Sequence, residues 1–294
     1  MLAPLKVAGR TIGALGVGRI EPHAGFAPGD AEQLRDLADR AALALENARL
    51  YDAAQNAIRL RDEFISIASH ELKTPLTPLQ LQVQNLQRIA EANAGQVPPE
   101  RLRTFAAVTE RQVQRLAGLV NSLLDVSRIG AGKFELEPEA FDFVAAVREV
   151  LERFALEAER AGSELRLHAP ASVVGAWDRM RIEQVITNLI SNALKYGDHK
   201  PVDVHCTLTG GQVELRVIDH GIGLPADFTE RAFERFSRAV STRSYAGLGL
   251  GLYIVKQIVL AHGGVVSAAC SAEGTTFTVR LPLSPPFGRP PPGG

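Results

Sequence analysis

Residues 178–197, DRMRIEQVITNLISNALKYG, carry Ile182, Val185, Ile186, Leu189 and Ala193 at helical spacing. This spacing predicts an amphipathic helix over 178–196 with one buried face. Asn188, Asn192 and Lys195, four and three residues apart, form a polar row on a neighbouring face. Two amides and an ammonium suit a metal ion and phosphate oxygens, while a solvated polar face is the plain alternative.

Outward from this helix the texture is mixed α/β. A helix-like stretch over 142–161 precedes short strands near 163–168 and 172–176. Val202, Val204, Cys206 and Leu208 alternate before Gly210-Gly211, and Val213, Leu215 and Val217 alternate after it, which predicts a hairpin with one buried face. A helix over 251–262 and strands near 265–270 and 275–281 complete an α/β sandwich with helices on one side of a mixed sheet. The Pro/Gly-rich end LSPPFGRPPPGG reads as a flexible tail.

The N-terminal half is different. Residues 2–20 place two β-prone runs around a Gly9-Arg10 turn signal. Leu34, Leu37, Ala41, Ala44, Ala48 and Tyr51 then recur in steps of three and four, either a coiled-coil stripe or a helix packed on that hairpin. Helical composition runs from 31 to 91, interrupted only by Pro75 and Pro78. NAGQVPPE (93–100) is a turn, and a second helix carries Leu102, Phe105, Leu116, Val120, Leu123 and Leu124 as far as Ile129. The expected class is therefore α+β: a helical hairpin, paired with a second copy into a four-helix bundle, followed by the α/β sandwich.

Composition narrows the function. With 32 Lys plus Arg against 33 Asp plus Glu, the net charge of −1 supplies no field for nucleic acid or acidic lipid. Cys206 and Cys270 are the only cysteines and stand far apart, which excludes a disulfide scaffold and any CxxC site. No apolar run reaches the roughly 20 residues of a membrane span, so a cytoplasmic location without membrane insertion is expected. His23, His168, His199, His205, His220 and His262 lack tight ligand spacing and read as structural or surface residues.

On a helical wheel, His70 lies opposite Phe64, Ile65, Ala68, Leu72 and Leu79 and so points to solvent. Glu71 adjoins it as acceptor for one ring nitrogen, leaving the other as nucleophile. Asp219-His220-Gly221-Ile222-Gly223 follows a strand, placing a carboxylate and permissive backbone where an adenine amino group can be met. Gly247, Gly249 and Gly251 open an apolar helix whose amides suit phosphate. Between the two glycine clusters, Phe233, Arg235, Phe236 and Arg238 belong to a candidate lid.

SHELKTPL (69–76) resembles the phosphoacceptor box of the sensor histidine kinases, and LVNSLLDVSRI resembles the end of that family's dimerisation domain. NLISNALKY, DHGIGLP, FERFSR, GLGLGL and GTTF, in this order, resemble the boxes of its catalytic ATP-binding domain, a fold shared with gyrase and the MutL repair proteins. The resemblance covers about 62–282 and implies ATP and Mg²⁺, a homodimer, and a separate response regulator as partner. It implies His70 as phosphoacceptor, Glu71 as general base, and Thr74 as an aid to the reverse phosphatase reaction. Asn192 would bind Mg²⁺, with Asn188, Lys195 and Tyr196 near the phosphates. Asp219 would read adenine, with Gly221, Gly223, Gly247, Gly249, Gly251 and Thr275 shaping the pocket and Arg238 reaching the γ-phosphate. Leu248 stands where the family commonly has threonine. In the related ATPases a glutamate occupies the place of Asn188 and activates water; an amide has no basic lone pair for that task.

Residues 2–54, with GRTIGALGVGRI and AALALENARLYDAA, resemble the last part of a GAF sensor domain. The expected segments are 1–54, a partial sensor and signalling helix; 55–132, dimerisation and histidine phosphotransfer; 133–283, catalytic; and 284–294, tail. Two rivals to a kinase are an ATPase of the same fold and an ATP-binding phosphatase or scaffold with little kinase activity.

Overall fold

Two β-prone runs separated by two residues close into a hairpin: β1 (Leu2–Val7) pairs antiparallel with β2 (Arg10–Gly16). The turn is Ala8-Gly9, with φ of 47° and 82°, one residue before the expected Gly9-Arg10. A two-residue hairpin turn needs two left-handed residues to match the strand twist, and Ala8 is drawn into that conformation with Gly9. The computed structural model describes residues 1–18, 25–92, 96–130, 134–221, 223, 225, 228–229, 231–237, 248–271 and 274–284. The chain divides into two units, Met1–Ser69 and His70–Gly294.

Helix α1 (Asp30–Ala92) contains Pro75 and Pro78 without interruption. In the first unit, Leu34 and Ala38 are buried, with Met1, Leu5 and Leu15 packed against the same cluster. Together with buried Ala42 they step by four residues, and Leu34 is the residue of the predicted stripe that joins this cluster. Leu37 and Tyr51, 55 % and 65 % exposed, belong to a face that this hairpin leaves open.

In the second unit, α2 (Pro99–Gly130) starts at a proline as its sequence predicts. Then follow β3 (Glu139–Asp142), α3 (Phe143–Ala161), β4 (Leu165–His168), β5 (Val174–Trp177), α4 (Arg179–Tyr196), β6 (Val202–Thr209), β7 (Gln212–Asp219), α5 (Gly251–Ala261), β8 (Val265–Ser271) and β9 (Gly274–Pro282). The main sheet has the order β4-β6-β7-β9-β8, parallel between β4 and β6 and antiparallel elsewhere. The α+β class expected from sequence is what the chain adopts. Strand β3 was absent from that expectation; it pairs with β5 in a separate ribbon.

Alternation places Val202, Val204, Cys206, Val213, Leu215, Val217, Phe277, Val279 and Leu281 on the buried face of the sheet. Helix α4 packs on β7 and is flanked by α3 and α5, with Ile182, Ile186, Leu189 and Ile190 fully buried. Each such side chain contributes about 1.5–3 kcal/mol through removal from water. Asp142 and Asp178 cap the N-termini of α3 and α4, accepting from Val144 N–H at 2.9 Å and Arg181 N–H at 3.0 Å. Asp178 also accepts from Glu137 N–H at 3.0 Å, while its own N–H donates to Nε2 of fully buried His262 at 3.1 Å.

Trp177 is fully buried, edge-on to Phe141 and Phe143, and its indole N–H donates to the Pro282 carbonyl at 2.8 Å. It therefore ties the β3–β5 ribbon to the end of β9. Trp177→Ala is expected to lower stability by about 3–5 kcal/mol. Urea denaturation followed by circular dichroism checks this, and a loss below about 1 kcal/mol would mean that the ribbon is not anchored through the indole.

Candidate functional site

Two sites emerge in the second unit, one exposed on α1 and one built around the C-terminal end of α4. His70 has 81 % of its side-chain surface exposed, as the wheel predicts. Glu71 is buried, its Oε1 lies 3.9 Å from His70 Nδ1, and its Oε2 is buried without a hydrogen-bond partner among the described residues. The expected Glu71–His70 pairing is thus adjacent but longer than a hydrogen bond. Thr74 Oγ1 donates to the His70 carbonyl at 3.0 Å, a bond between successive turns that holds the hydroxyl on the histidine's side of the helix. Pro75 has no N–H to offer the Glu71 carbonyl, so backbone pairing is weakened one turn after the histidine.

At the second site, local chemistry dictates close backbone approach. A Cβ on Gly221 would overlap the Tyr196 carbonyl and stand 2.7 Å from the Gly197 Cα. Only glycine lets the turn after β7 rest on the end of α4. Asp219 is brought there with it: its Cβ lies 3.9 Å from the place of a Cβ on Gly197. Asp219 is 3 % exposed, and its Oδ1 accepts from Gly221 N–H at 3.1 Å. Thr275, its register partner on β9, donates to it from both backbone and hydroxyl. Burial raises the Asp219 carboxyl above the ordinary carboxylate value, and these donated bonds oppose the rise without cancelling it.

Asn188, Asn192, Lys195 and Tyr196 are half-buried along α4, and Lys195 Nζ lies 5.0 Å from the Tyr196 ring centroid. The Asn188 amide oxygen is 3.5 Å from where a Cβ on Gly251 would stand, so α4 meets the start of α5 here. Gly249, at φ 66°, packs on the Phe236 and Ser237 backbone, and its carbonyl accepts from Phe236 N–H at 3.1 Å. Gly223 lies against Cys270. Arg235 donates to the Tyr253 hydroxyl at 2.7 Å. Arg238 and Gly247 lie outside the described residues, as do the rest of the expected lid from 238 to 247 and the tail from 285. The fold thus joins Tyr196, Asp219, Gly221 and Thr275 at the end of α4 and brings Asn188 to Gly251 at the start of α5, with Asn192 and Lys195 on the stretch of α4 between.

Sequence reasoning missed a third cluster. Asp125 on α2, 7 % exposed, accepts from Arg181 Nη1 at 2.8 Å and Gln184 Nε2 at 2.7 Å, both on α4. The same guanidinium sits over the Phe134 ring at 4.8 Å. Arg181 and Gln184 share one helix face, which is the only sign in the sequence that they act together. Among the described residues, no group of three or more His, Cys, Asp or Glu side chains is placed to hold a metal ion, and no helix is long and apolar enough to cross a membrane.

Residues 60–132 match the His Kinase A (phospho-acceptor) domain family, and residues 177–285 match the histidine kinase-, DNA gyrase B-, and HSP90-like ATPase family. Sensor histidine kinase WalK of Bacillus subtilis is 34 % identical over 228 residues, 76 % of this chain and 36 % of that protein. Sensor-like histidine kinase SenX3 of Mycolicibacterium smegmatis is 32 % identical over 76 % of this chain and 58 % of its own length. The chain spans between about a third and three fifths of these relatives. Among solved structures, the Acinetobacter baumannii histidine kinase AdeS superposes with a TM-score of 0.57 at 27 % identity, over 73 % of this chain and 98 % of that one. Full-length ShkA, solved in complex with AMPPNP, gives 0.56 at 26 % identity over 76 % of this chain and 46 % of that one.

The buried Asp219 makes a signed prediction. Its folded pKa exceeds its unfolded one, so its contribution to stability is fully present below the unfolded value and is lost as pH rises through the folded value. The non-titrating Asp219→Asn variant should therefore gain stability relative to the parent between about pH 4 and pH 7. Paired thermal melts across that range test it, and a difference that stays flat or shrinks with rising pH would refute it.

Proposed function

We propose, from the premise that this chain belongs to the sensor histidine kinase family, that it phosphorylates His70 with ATP bound beside α4 and passes the phosphoryl group to an aspartate of a separate response regulator. The observation that supports this reading most is the pairing of an exposed imidazole on one helix with a buried carboxylate at a glycine turn on another element. A nucleophile that must meet a nucleotide and then a protein partner has to be exposed. A base-reading carboxylate has to be shielded from water so that its hydrogen bond discriminates.

In this reading Asp219 accepts from the adenine amino group, with Thr275 and Gly221 orienting it. The amide oxygens of α4 fit a hard cation, since they are neutral oxygen donors in a half-buried row with a lysine one turn on. Asn192 would hold Mg²⁺, with Asn188 close by; when bound, the ion neutralises charge on the phosphate oxygens. Lys195 supplies a further positive charge for the same oxygens. The ShkA complex with AMPPNP supports a nucleotide in a related fold.

His70 Nδ1 faces Glu71, which leaves Nε2 outward as the attacking atom. As the N–P bond forms, the bond from the γ-phosphorus to the bridging oxygen breaks and ADP leaves with that electron pair. The imidazole proton passes to Glu71 once a side-chain rotation closes the 3.9 Å gap to hydrogen-bond length. In the same reading Thr74, whose hydroxyl donates to the His70 carbonyl, orients water when a phosphorylated regulator docks. The exposed apolar residues of the two helices, among them Leu76, Leu81, Val113 and Val120, suit burial against a second copy in a four-helix bundle.

Incubation with γ-labelled ATP is the direct test. The protein should take up an acid-labile, base-stable label, and His70→Gln should remove it while changing ATP affinity less than about two-fold, because His70 belongs to the domain at 60–132 and the nucleotide residues to the domain at 177–285. Equal labelling of the variant would remove His70 from the reaction.

Asn188 separates kinase from ATPase. With an amide where a water-activating carboxylate would be needed, ATP turnover should be slow, depend on His70 and accelerate when a regulator drains the phosphohistidine. Steady ATP hydrolysis by His70→Gln at the parent rate, without a regulator, would favour an ATPase.

A further inference from the structure

The face of the sheet opposite its buried side carries a histidine–carboxylate bridge at the nucleotide turn. Successive residues at the end of β7 point to opposite faces. Asp219 therefore enters the buried side, and His220 emerges on the other. There His220 Nε2 lies 2.9 Å from Asp203 Oδ2, on the neighbouring strand β6. The other carboxylate oxygen, Oδ1, is 3.6 Å from Nε2 of His168 at the end of β4, whose ring stacks on His205 at 4.5 Å. One carboxylate thus ties together the ends of three adjacent strands. Of the nearby arginines, Arg166 pairs with Glu164 at 2.7 Å and Arg216 lies 3.3 Å from Glu214. Asp203 faces His220 and His168, with the Arg166 charge a smaller attraction.

We propose that Asp203 is a positioning residue for nucleotide binding, acting through His220 to hold Asp219 and Gly221 in the geometry that receives the base. This rests on the nucleotide reading of the site given above. Asp203 is three-quarters or more buried in its side chain and His220 about three-fifths, so the bond is shielded beyond the level of an open surface pair. Because the carboxylate accepts, the proton sits on His220 Nε2, which fixes the ring and with it the residue that follows Asp219. The His220 bond is also the leading cause of the lowered Asp203 carboxyl, so the acceptor stays ionised through the neutral range. Gly221, next in sequence, has no side chain to hold the turn in place. The anchor on its N-terminal side is the His220–Asp203 bond, and Gly221 itself packs closely on the end of α4.

The role concerns binding rather than phosphoryl transfer, since it acts at the base end of the nucleotide. Calorimetric titration with ATP and Mg²⁺ of the full chain, together with Asp203→Ala, His220→Ala and their double variant, tests it. Each single change should raise the dissociation constant by about ten-fold, the usual weight of a charge-assisted bond, and the double should be no worse than either. Asp203→Asn keeps an oxygen for the His220 N–H and should restore most of the affinity. KM for ATP in autophosphorylation should rise in parallel, with kcat within about two-fold of the parent. Unchanged affinity in the single variants, additive losses, or a fall in kcat at constant KM would each overturn the proposal. If Asp203→Ala does not fold, His220→Ala and Asp203→Asn carry the same KM-against-kcat reading. A parent protein that binds no ATP would instead refute the nucleotide reading on which the bridge rests.

Discussion

No side chain fits between the turn after β7 and the carbonyl that ends α4, and the candidate nucleotide site depends on that contact. Gly221 lies against Tyr196 and Gly197, so a strand end from the sheet and a helix end from the layer above meet backbone to backbone. Their meeting sets Asp219 beside the end of α4 and buries its carboxyl, with Thr275 and the Gly221 amide as donors. Burial opposes the charged form, so the fold holds this carboxylate at a cost in stability. Such local strain is characteristic of a group kept for a ligand rather than for the fold.

Helix α4 is the element through which the rest of the second unit communicates. Its apolar face fills the core, its C-terminal half supplies Asn188, Asn192 and Lys195, and its N-terminus is held from three directions. Asp178 caps it, His262 at the end of α5 accepts from the Asp178 amide, and Arg181 with Gln184 clamps Asp125 on α2. The donor of the last clamp is 14 % exposed in its side chain and the acceptor 9 %. Removing either partner would leave a buried charge unmatched, so the pair resists partial loss even where its net contribution to stability is small. The His262 tautomer follows from its neighbours: Nδ1 donates to the Ile258 carbonyl at 2.8 Å and Nε2 accepts, so the ring is neutral. Burial lowers its pKa, in keeping with that state.

The two chemical groups that the proposed reaction needs are held in opposite ways. His70 projects from a helix with most of its surface in water, backed by a buried glutamate and a threonine bonded to its own carbonyl. Asp219 is recessed and surrounded by donors. The kinase reading uses this contrast: one group has to be reached by successive partners, and the other has to exclude competing water.

The amino-acid sequence by itself determined what depends on periodicity and on local backbone chemistry. Apolar spacing of 3.6 or 2 residues is enough to place α4, the alternating strands β6 and β7, the two long helices and the outward face of His70, because each is decided within a few residues of chain. Glycine clusters after a strand and before a helix marked the turn and the helix start for the same reason. Tertiary structure alone decided the partnerships between distant residues. The β3–β5 ribbon rests on register with a strand over thirty residues away and on the Trp177 bond to Pro282. The Asp125–Arg181–Gln184 clamp and the His262–Asp178 bond join helices whose sequences carry no shared signal. His168, His205 and His220 read singly as structural or surface residues, since no ligand spacing links them. His168 and His220 converge on Asp203, with His205 stacked on His168, only because β4 and β7 flank β6 in the sheet. Strand order is set by which apolar faces can be buried together over the whole domain, and a local pattern holds no record of it.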